Sequence, residues 1–169
     1  NIIVIGGGFT AVDCTRMSYR MGAKKITLAY RRMKKDMYVG ADELEVMESE
    51  GIDTISLVSA VTVLSNDEGT VTGVEFIHNS INEDRSITPI AGSEFVMEAD
   101  TVIFAVGQEA DEKVAETKNV ELKSNFSIAG DFRNGSSTVI EAVADGRKVA
   151  REVHMQLSGI KGFKETIHI

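Results

Sequence analysis

Three small residues near the start of the chain have the types and spacing that phosphate chemistry needs. In Asn1-Ile2-Ile3-Val4-Ile5-Gly6-Gly7-Gly8-Phe9-Thr10-Ala11, positions 6, 8 and 11 fit the pattern G-x-G-x-x-A. Gly6 lets the chain turn sharply out of a strand. Gly8, without a Cβ, leaves room for a pyrophosphate against the backbone, and Ala11 is small enough for a following helix to pack close to a sheet. A helix opening at Ala11, with Phe9 and Thr10 in the turn before it, offers free N–H groups and a partial positive charge to phosphate oxygens. A plain strand-to-helix turn is the alternative, and the flanking elements decide between the two.

A second constellation sits where a ribose selector belongs. Arg31 lies 23 residues after Gly8, in Tyr30-Arg31-Arg32, with Lys34 and Lys35 just beyond. Binders of NAD carry Asp or Glu here to hold the ribose 2′-hydroxyl. A carboxylate would repel a 2′-phosphate, whereas a guanidinium binds it through two parallel charge-assisted hydrogen bonds. Tyr30, Arg31 and Arg32 are therefore candidates for NADP(H) contact, and a solvated basic turn is the other reading. Other chemistry is poorly supplied. The single cysteine, Cys14, allows no internal disulfide, no Cys-x-x-Cys pair and no Cys-based zinc site, and it reads as a small core residue on the first helix. His78, His154 and His168 show no ligand spacing. No metal ligand and no catalytic acid or base is assigned.

The elements that must position these residues follow from pattern. Asn1 to Ile5 is apolar on both faces, as a buried parallel strand is. It opens the chain without a Met or a lead-in, as expected of a segment of a longer protein. Residues 11–21 read as a helix stopped by Gly22, and 25–30 as a second strand, which makes a βαβ unit. Residues 42–49 read as a helix with an acidic solvated face, with Leu44, Met47 and Val46 turned inward and Gly51 as the stop. Residues 53–58 read as a third strand. Residues 62–64 and 71–77, around a turn at 66–69, join 94–97 in a small antiparallel meander.

Residues 100–108 form an apolar strand ending in Gly. Ligands of open α/β sheets lie beyond the carboxyl ends of the strands, which places Ala105, Gly107 and Gln108 near the same nucleotide. Gly107 reads equally well as a turn residue. A short strand over 126–131 ends in Gly130-Asp131. Ser137 then caps a helix reaching about Leu157, with Val139, Val143, Val149, Val153 and Leu157 apolar. Gly146 within it costs about 1 kcal/mol relative to Ala, which predicts close packing there. Residues 158–169 show no pattern.

Composition narrows the classes. The chain has 169 residues, 43% hydrophobic and 26% charged, as a globular domain has, and this argues against disorder. Its net charge of -8 argues against nucleic-acid binding, which needs a basic face. No apolar run is long enough to span a membrane and no signal peptide leads the sequence, so a cytoplasmic location is expected. One Pro against 15 Gly suggests long elements joined by glycine turns.

Taken together, Gly6-Gly7-Gly8-Phe9-Thr10-Ala11-Val12-Asp13-Cys14, Tyr30-Arg31-Arg32, Ala105-Val106-Gly107-Gln108, Gly130-Asp131, Ser137-Thr138-Val139-Ile140-Glu141-Ala142 and Gly146-Arg147-Lys148 resemble one family. It is the small (beta) subunit of NADPH-dependent glutamate synthase and related flavin oxidoreductases, including the NADPH-side region of dihydropyrimidine dehydrogenase. The resemblance runs from residue 1 to about 157. It implies an α/β fold: a Rossmann-like parallel sheet with a small antiparallel meander over 1–107, binding NADP(H), then a partial FAD-binding α/β segment over 108–157 and a tail over 158–169. The Asp matching Asp131, beside Gly130, would hold the ribityl or pyrophosphate region of FAD. The helix start matching Thr138 and Val139 would point N–H groups at the flavin. The resemblance further implies hydride transfer from NADPH to FAD, and electrons passed to the remainder of the flavoprotein or to a partner subunit. A non-catalytic NADPH-binding or docking module is the other reading. The sequence departs from the family at Phe9, where Asn is usual, and in the short stretch 117–126. It holds one glycine cradle, so FAD is expected in the complete enzyme and not in this chain alone.

Overall fold

A computed structural model describes residues 1–109 and 127–159. They belong to two compact units, Asn1–Gly107 and Gln108–Ile169. The first unit runs β1 (Ile2–Gly6), α1 (Phe9–Arg20), β2 (Ile26–Tyr30), a 3-10 turn (Lys34–Asp36), α2 (Ala41–Ser49), β3 (Asp53–Ser56), β4 (Val58–Ser65), β5 (Val71–Ile81), β6 (Ile87–Pro89), β7 (Phe95–Glu98) and β8 (Thr101–Ala105).

Four strands form a parallel sheet in the order β3-β2-β1-β8. The register pairs Val4 with both Leu28 and Ile103, and Gly6 with Ala105. Side chains alternate across this sheet, and the alternation explains why β1 and β2 are apolar throughout. Val4 and Leu28 turn to one face, where Ala11 and Val12 of α1 and Leu44 and Met47 of α2 complete a buried cluster. Ile3 and Ala29 turn to the other face, against Val58, Val74, Phe76 and Ala99. The antiparallel strands thus cover the face that helices cover elsewhere in doubly wound folds. β5 is their hub, pairing with β4, β6 and β7.

Several expectations need correction. The strand expected over 53–58 is broken at Leu57, which stands at φ 59°. Positive φ costs a bulky residue about 1–3 kcal/mol and persists only where its surroundings fix it. Here the Leu57 N–H donates to the Arg32 carbonyl at 3.0 Å, and its own carbonyl accepts from the Asn79 N–H at 2.7 Å. The break sends β3 into the parallel sheet and β4 into the antiparallel one. Val46, expected inward, is exposed on α2 because the buried pair Leu44 and Met47 already defines the inner face. Strand β6, three residues long, adds to the expected meander.

In the second unit, α3 (Asp131–Asn134) and α4 (Val139–Ser158) follow Gly130. The strand expected to end at Asp131 is absent from its described part: 127–129 are irregular and Gly130 opens a helical turn instead. Gly130 has φ 66° and ψ -146°, a conformation side chains resist. Its N–H donates to Asp145 Oδ2 at 2.8 Å, and Arg133 lies 3.6 Å from Asp145 Oδ1, which ties the turn to α4. The helix cap is Thr138 rather than Ser137. No close packing surrounds Gly146 among the described residues, where a Cβ would meet nothing within 4 Å. Of the apolar members expected on α4, Val149 is buried, while Val139, Val143 and Leu157 are exposed. The stretch 117–126 and the tail beyond Gly159 lie outside the described residues.

Candidate functional site

The glycine run joins β1 to α1 at the carboxyl end of the parallel sheet, and its three members differ in what surrounds them. A Cβ on Gly6 would overlap the carbonyl oxygen of Ala105 and lie 3.0 Å from the Ala11 Cβ. Gly6 is therefore set by two close approaches at once, strand β8 beside it and helix α1 above it. A Cβ on Gly7 would run into the ring of Tyr30. A Cβ on Gly8 would meet nothing within 4 Å among the described residues. The fold itself needs the first two glycines, while the room at Gly8 is left over.

That room lies at the start of α1. Gly8 is the N-cap residue, in extended conformation at φ -103° and ψ 179°, and among the described residues no side chain caps the helix. Its carbonyl accepts from Ala11 and Val12. The first turn carries no acidic residue, so no carboxylate competes for the partial positive charge. Phe9 and Thr10, the first two helical residues, are exposed, whereas Ala11 is fully buried against β1.

Tyr30 ends β2 almost entirely buried. Its ring lies against Gly7 and its hydroxyl donates to the Asp36 carbonyl at 3.1 Å, and burial pushes its phenol pKa up. The Tyr38 N–H donates back to the Gly7 carbonyl at 3.3 Å. Tyr30 thus shapes the glycine loop from behind. Beyond it the cations divide. Arg32 Nη1 donates to the Arg85 carbonyl at 2.5 Å, and Arg85 itself pairs with Asp36 at 2.7 Å. Lys34 is paired with Glu48. The side chains of Arg31 and Lys35 are exposed and make no hydrogen bond or ion pair among the described residues. On the far side of α1, Arg16 holds Glu50 through two 3.0 Å bonds, which lowers the Glu50 pKa and raises that of Arg16. That bidentate pair fixes α1 against the end of α2.

The structure brings Gly6, Gly8, Phe9, Thr10, Ala11, Tyr30, Arg31, Arg32 and Ala105 together at one end of the parallel sheet. Gly107 follows at φ 91°, a turn that favours glycine, and Gln108 is exposed at the start of the second unit. Gly130, Asp131, Thr138 and Val139 belong to that second unit. There Asp131 is exposed, and Thr138 and Val139 begin α4. Among the described residues no group of three or more His, Cys, Asp or Glu could hold a metal ion, and no helix is long and apolar enough to cross a membrane.

Sequence reasoning passed over Gly7 and Asn79. A Tyr closing the second strand is a weak signal for the former. Nothing local marks the latter, a polar residue at an ordinary strand position.

The model of the pyridine nucleotide-disulphide oxidoreductase family matches residues 1–147. Among curated proteins, the chain is 41% identical over 115 residues to the NADPH-Fe(3+) oxidoreductase subunit beta of Geobacter sulfurreducens, covering 65% of this chain and 17% of that protein. It is 33% identical over 174 residues to the glutamate synthase [NADPH] small chain of Escherichia coli, covering 88% and 37%. It therefore spans well under half the length of these relatives. Among solved structures, Mycobacterium tuberculosis FprA in complex with NADPH shares the fold with a TM-score of 0.73 at 14% identity, over 96% of this chain and 55% of that one.

Proposed function

The chain belongs to the pyridine nucleotide-disulphide oxidoreductase family, and from that membership we propose that it is the nucleotide-binding portion of an NADPH-dependent flavin oxidoreductase of the glutamate synthase small-subunit kind. The family reading brings a pyridine nucleotide and a flavin together; the assignment of each to a stretch of this chain is ours. Residues 1–107 form the NADP(H)-binding part. Residues 108–157 are the chain's return into an FAD-binding part, where Gly130, Asp131, Thr138 and Val139 hold FAD in the complete enzyme.

The observation that carries the reading is the contrast at the glycine run. Gly6 and Gly7 are explained by packing, whereas no packing among the described residues requires a glycine at position 8, and the room beside it is free for a ligand. A pyrophosphate fits that description: it needs the space, the free N–H groups and the uncompensated helix end that α1 supplies. Arg31, exposed and without an ion pair, receives the 2′-phosphate, with Arg32 held beside it. Ala105 ends β8 beside Gly6, at the same carboxyl end of the sheet, and Gly107 follows it.

When bound, FAD supplies the hydride-accepting chemistry and can release electrons singly. The protein's own part is to bind, orient and discriminate, so no side chain is assigned as an acid or base. Electrons leave for a partner subunit, a role supported by relatives that are themselves subunits of larger oxidoreductases.

Calorimetry with NADPH and NADH tests the reading. The unaltered chain is expected to bind NADPH at least about tenfold more tightly, since each charge-assisted contact to a 2′-phosphate is worth about 1.5–3 kcal/mol. Arg31→Ala is expected to remove most of that difference. Equal affinities in the unaltered chain would overturn it.

A further inference from the structure

Asn79 is one of few buried polar residues in the first unit, only 4% exposed on β5. Its side-chain amide reaches out of the antiparallel sheet. Nδ2 donates to the Arg31 carbonyl at 3.1 Å and to Ser59 Oγ at 2.9 Å. The orientation of the amide is fixed by chemistry, because the Arg31 carbonyl can only accept. Ser59 donates in return to Oδ1 at 3.3 Å. The Asn79 backbone N–H donates to the Leu57 carbonyl at 2.7 Å, and the Leu57 N–H donates to the Arg32 carbonyl at 3.0 Å. A closed ring of hydrogen bonds therefore runs from Arg31 through Asn79 and Leu57 to Arg32. Both carbonyls of the basic pair are held by residues outside the βαβ unit, and Leu57 keeps a strained backbone as part of that ring.

We propose that Asn79 is a positioning residue for nucleotide selection. By fixing the Arg31 carbonyl it sets the direction in which the free Arg31 guanidinium leaves β2, and hence its alignment with a 2′-phosphate. This rests on the NADP(H) reading above and deepens it: preference for the phosphorylated nucleotide is set from the antiparallel sheet as well as from the strand that carries the arginines. Two parallel hydrogen bonds to a phosphate demand a fixed guanidinium plane. A freely hinged peptide at Arg31 would forfeit one of them without altering the rest of the nucleotide site. Ser59 completes the arrangement by accepting from Nδ2 and donating to Oδ1 of the amide.

The test is a double-mutant cycle read by NADPH and NADH affinity. Asn79→Leu is expected to weaken NADPH by about tenfold while NADH stays within about twofold. In an Arg31→Ala background the same substitution is expected to change NADPH affinity no further, because the group it positions is gone. Ser59→Ala, which leaves the fold less disturbed, is expected to move NADPH in the same direction by a smaller factor. A merely structural Asn79 would weaken both nucleotides alike and remain additive with Arg31→Ala. Either result in a chain that prefers NADPH overturns the inference and leaves the NADP(H) reading standing. If Asn79→Leu does not fold, an unchanged preference in Ser59→Ala overturns it. An unaltered chain with no preference overturns the reading and the inference together.

Discussion

The N-termini of α1 and α4 are both places where the resemblance to a family puts a cofactor, yet one is bare and the other is partly capped by its own side chains. At α1 the cap is Gly8, with no side-chain hydrogen bond and no acidic residue in the first turn. At α4 the Thr138 hydroxyl accepts from the Glu141 N–H, and the Glu141 carboxylate accepts from the Thr138 N–H at 3.1 Å, a reciprocal capping box. The second helix satisfies two of its own donors, the Thr138 and Glu141 N–H groups, and its carboxylate offsets part of the charge at that end. The first leaves donors and charge for a ligand. Two helix starts that look alike in a motif can thus differ in how much of their binding capacity is already used.

Three experiments break or sharpen this comparison. The largest effect is expected at the glycine run. Gly8→Val fills the room beside α1 and is expected to weaken NADPH by more than about a hundredfold in calorimetry. Its extended backbone accepts Val, so the circular dichroism spectrum is expected to stay native. Gly6→Val, by contrast, drives a side chain into the Ala105 backbone and is expected to lower stability by about 1–3 kcal/mol or more in urea titration. A Gly8→Val chain that binds NADPH normally would place the site elsewhere.

At α4 the expected loss is one of stability. Thr138→Ala removes half of the capping box and is expected to cost about 1 kcal/mol, seen as lower helicity and a lower urea midpoint. NADPH affinity is expected to be unchanged. A large effect on NADPH would show that the second helix takes part in that site.

The smallest effect is in acid. The hydrogen bonds from Thr138 hold the Glu141 pKa below its ordinary value, and Arg16 does the same for Glu50. A carboxyl whose folded pKa is depressed contributes stability above its unfolded pKa and loses it as pH falls through the folded value. Acid is therefore expected to fray the start of α4, and to loosen α1 from α2, as pH drops below the ordinary glutamate range. The bare start of α1 has no carboxylate to lose. Amide exchange followed through that range checks this, and Glu141→Gln is expected to abolish the pH dependence at α4 alone.

Much of the parallel sheet was legible because burial on both faces writes itself into the sequence as unbroken apolar runs at Ile2 to Ile5 and Ile26 to Tyr30. The glycine spacing was legible too, though its reasons were only partly so. Gly6 answers to the Ala105 carbonyl and to Ala11, and Gly7 to the Tyr30 ring, partners brought in by tertiary structure. Thr138-x-x-Glu141 is legible as a capping box, whereas Ser137 has Ile140 three residues on, which cannot complete one. The break at Leu57 had no such signal, because leucine does not advertise positive φ. The buried role of Asn79 depends on where β5 crosses the end of β2, which no local pattern records.

The pairing of Gly6 with Ala105 has a further consequence, for the order in which the chain assembles. β1, α1 and β2 lie close in sequence, as do the strands around β5, and such local pieces can form early. β8 must return across nearly the whole first unit to dock beside β1, and it pays the closure entropy of that long loop. Until it does, the glycine turn lacks the neighbour that fixes Gly6. Competence to hold a nucleotide is therefore a late product of folding. Bound nucleotide would draw the last strand home, so refolding in its presence would gain most in the final step.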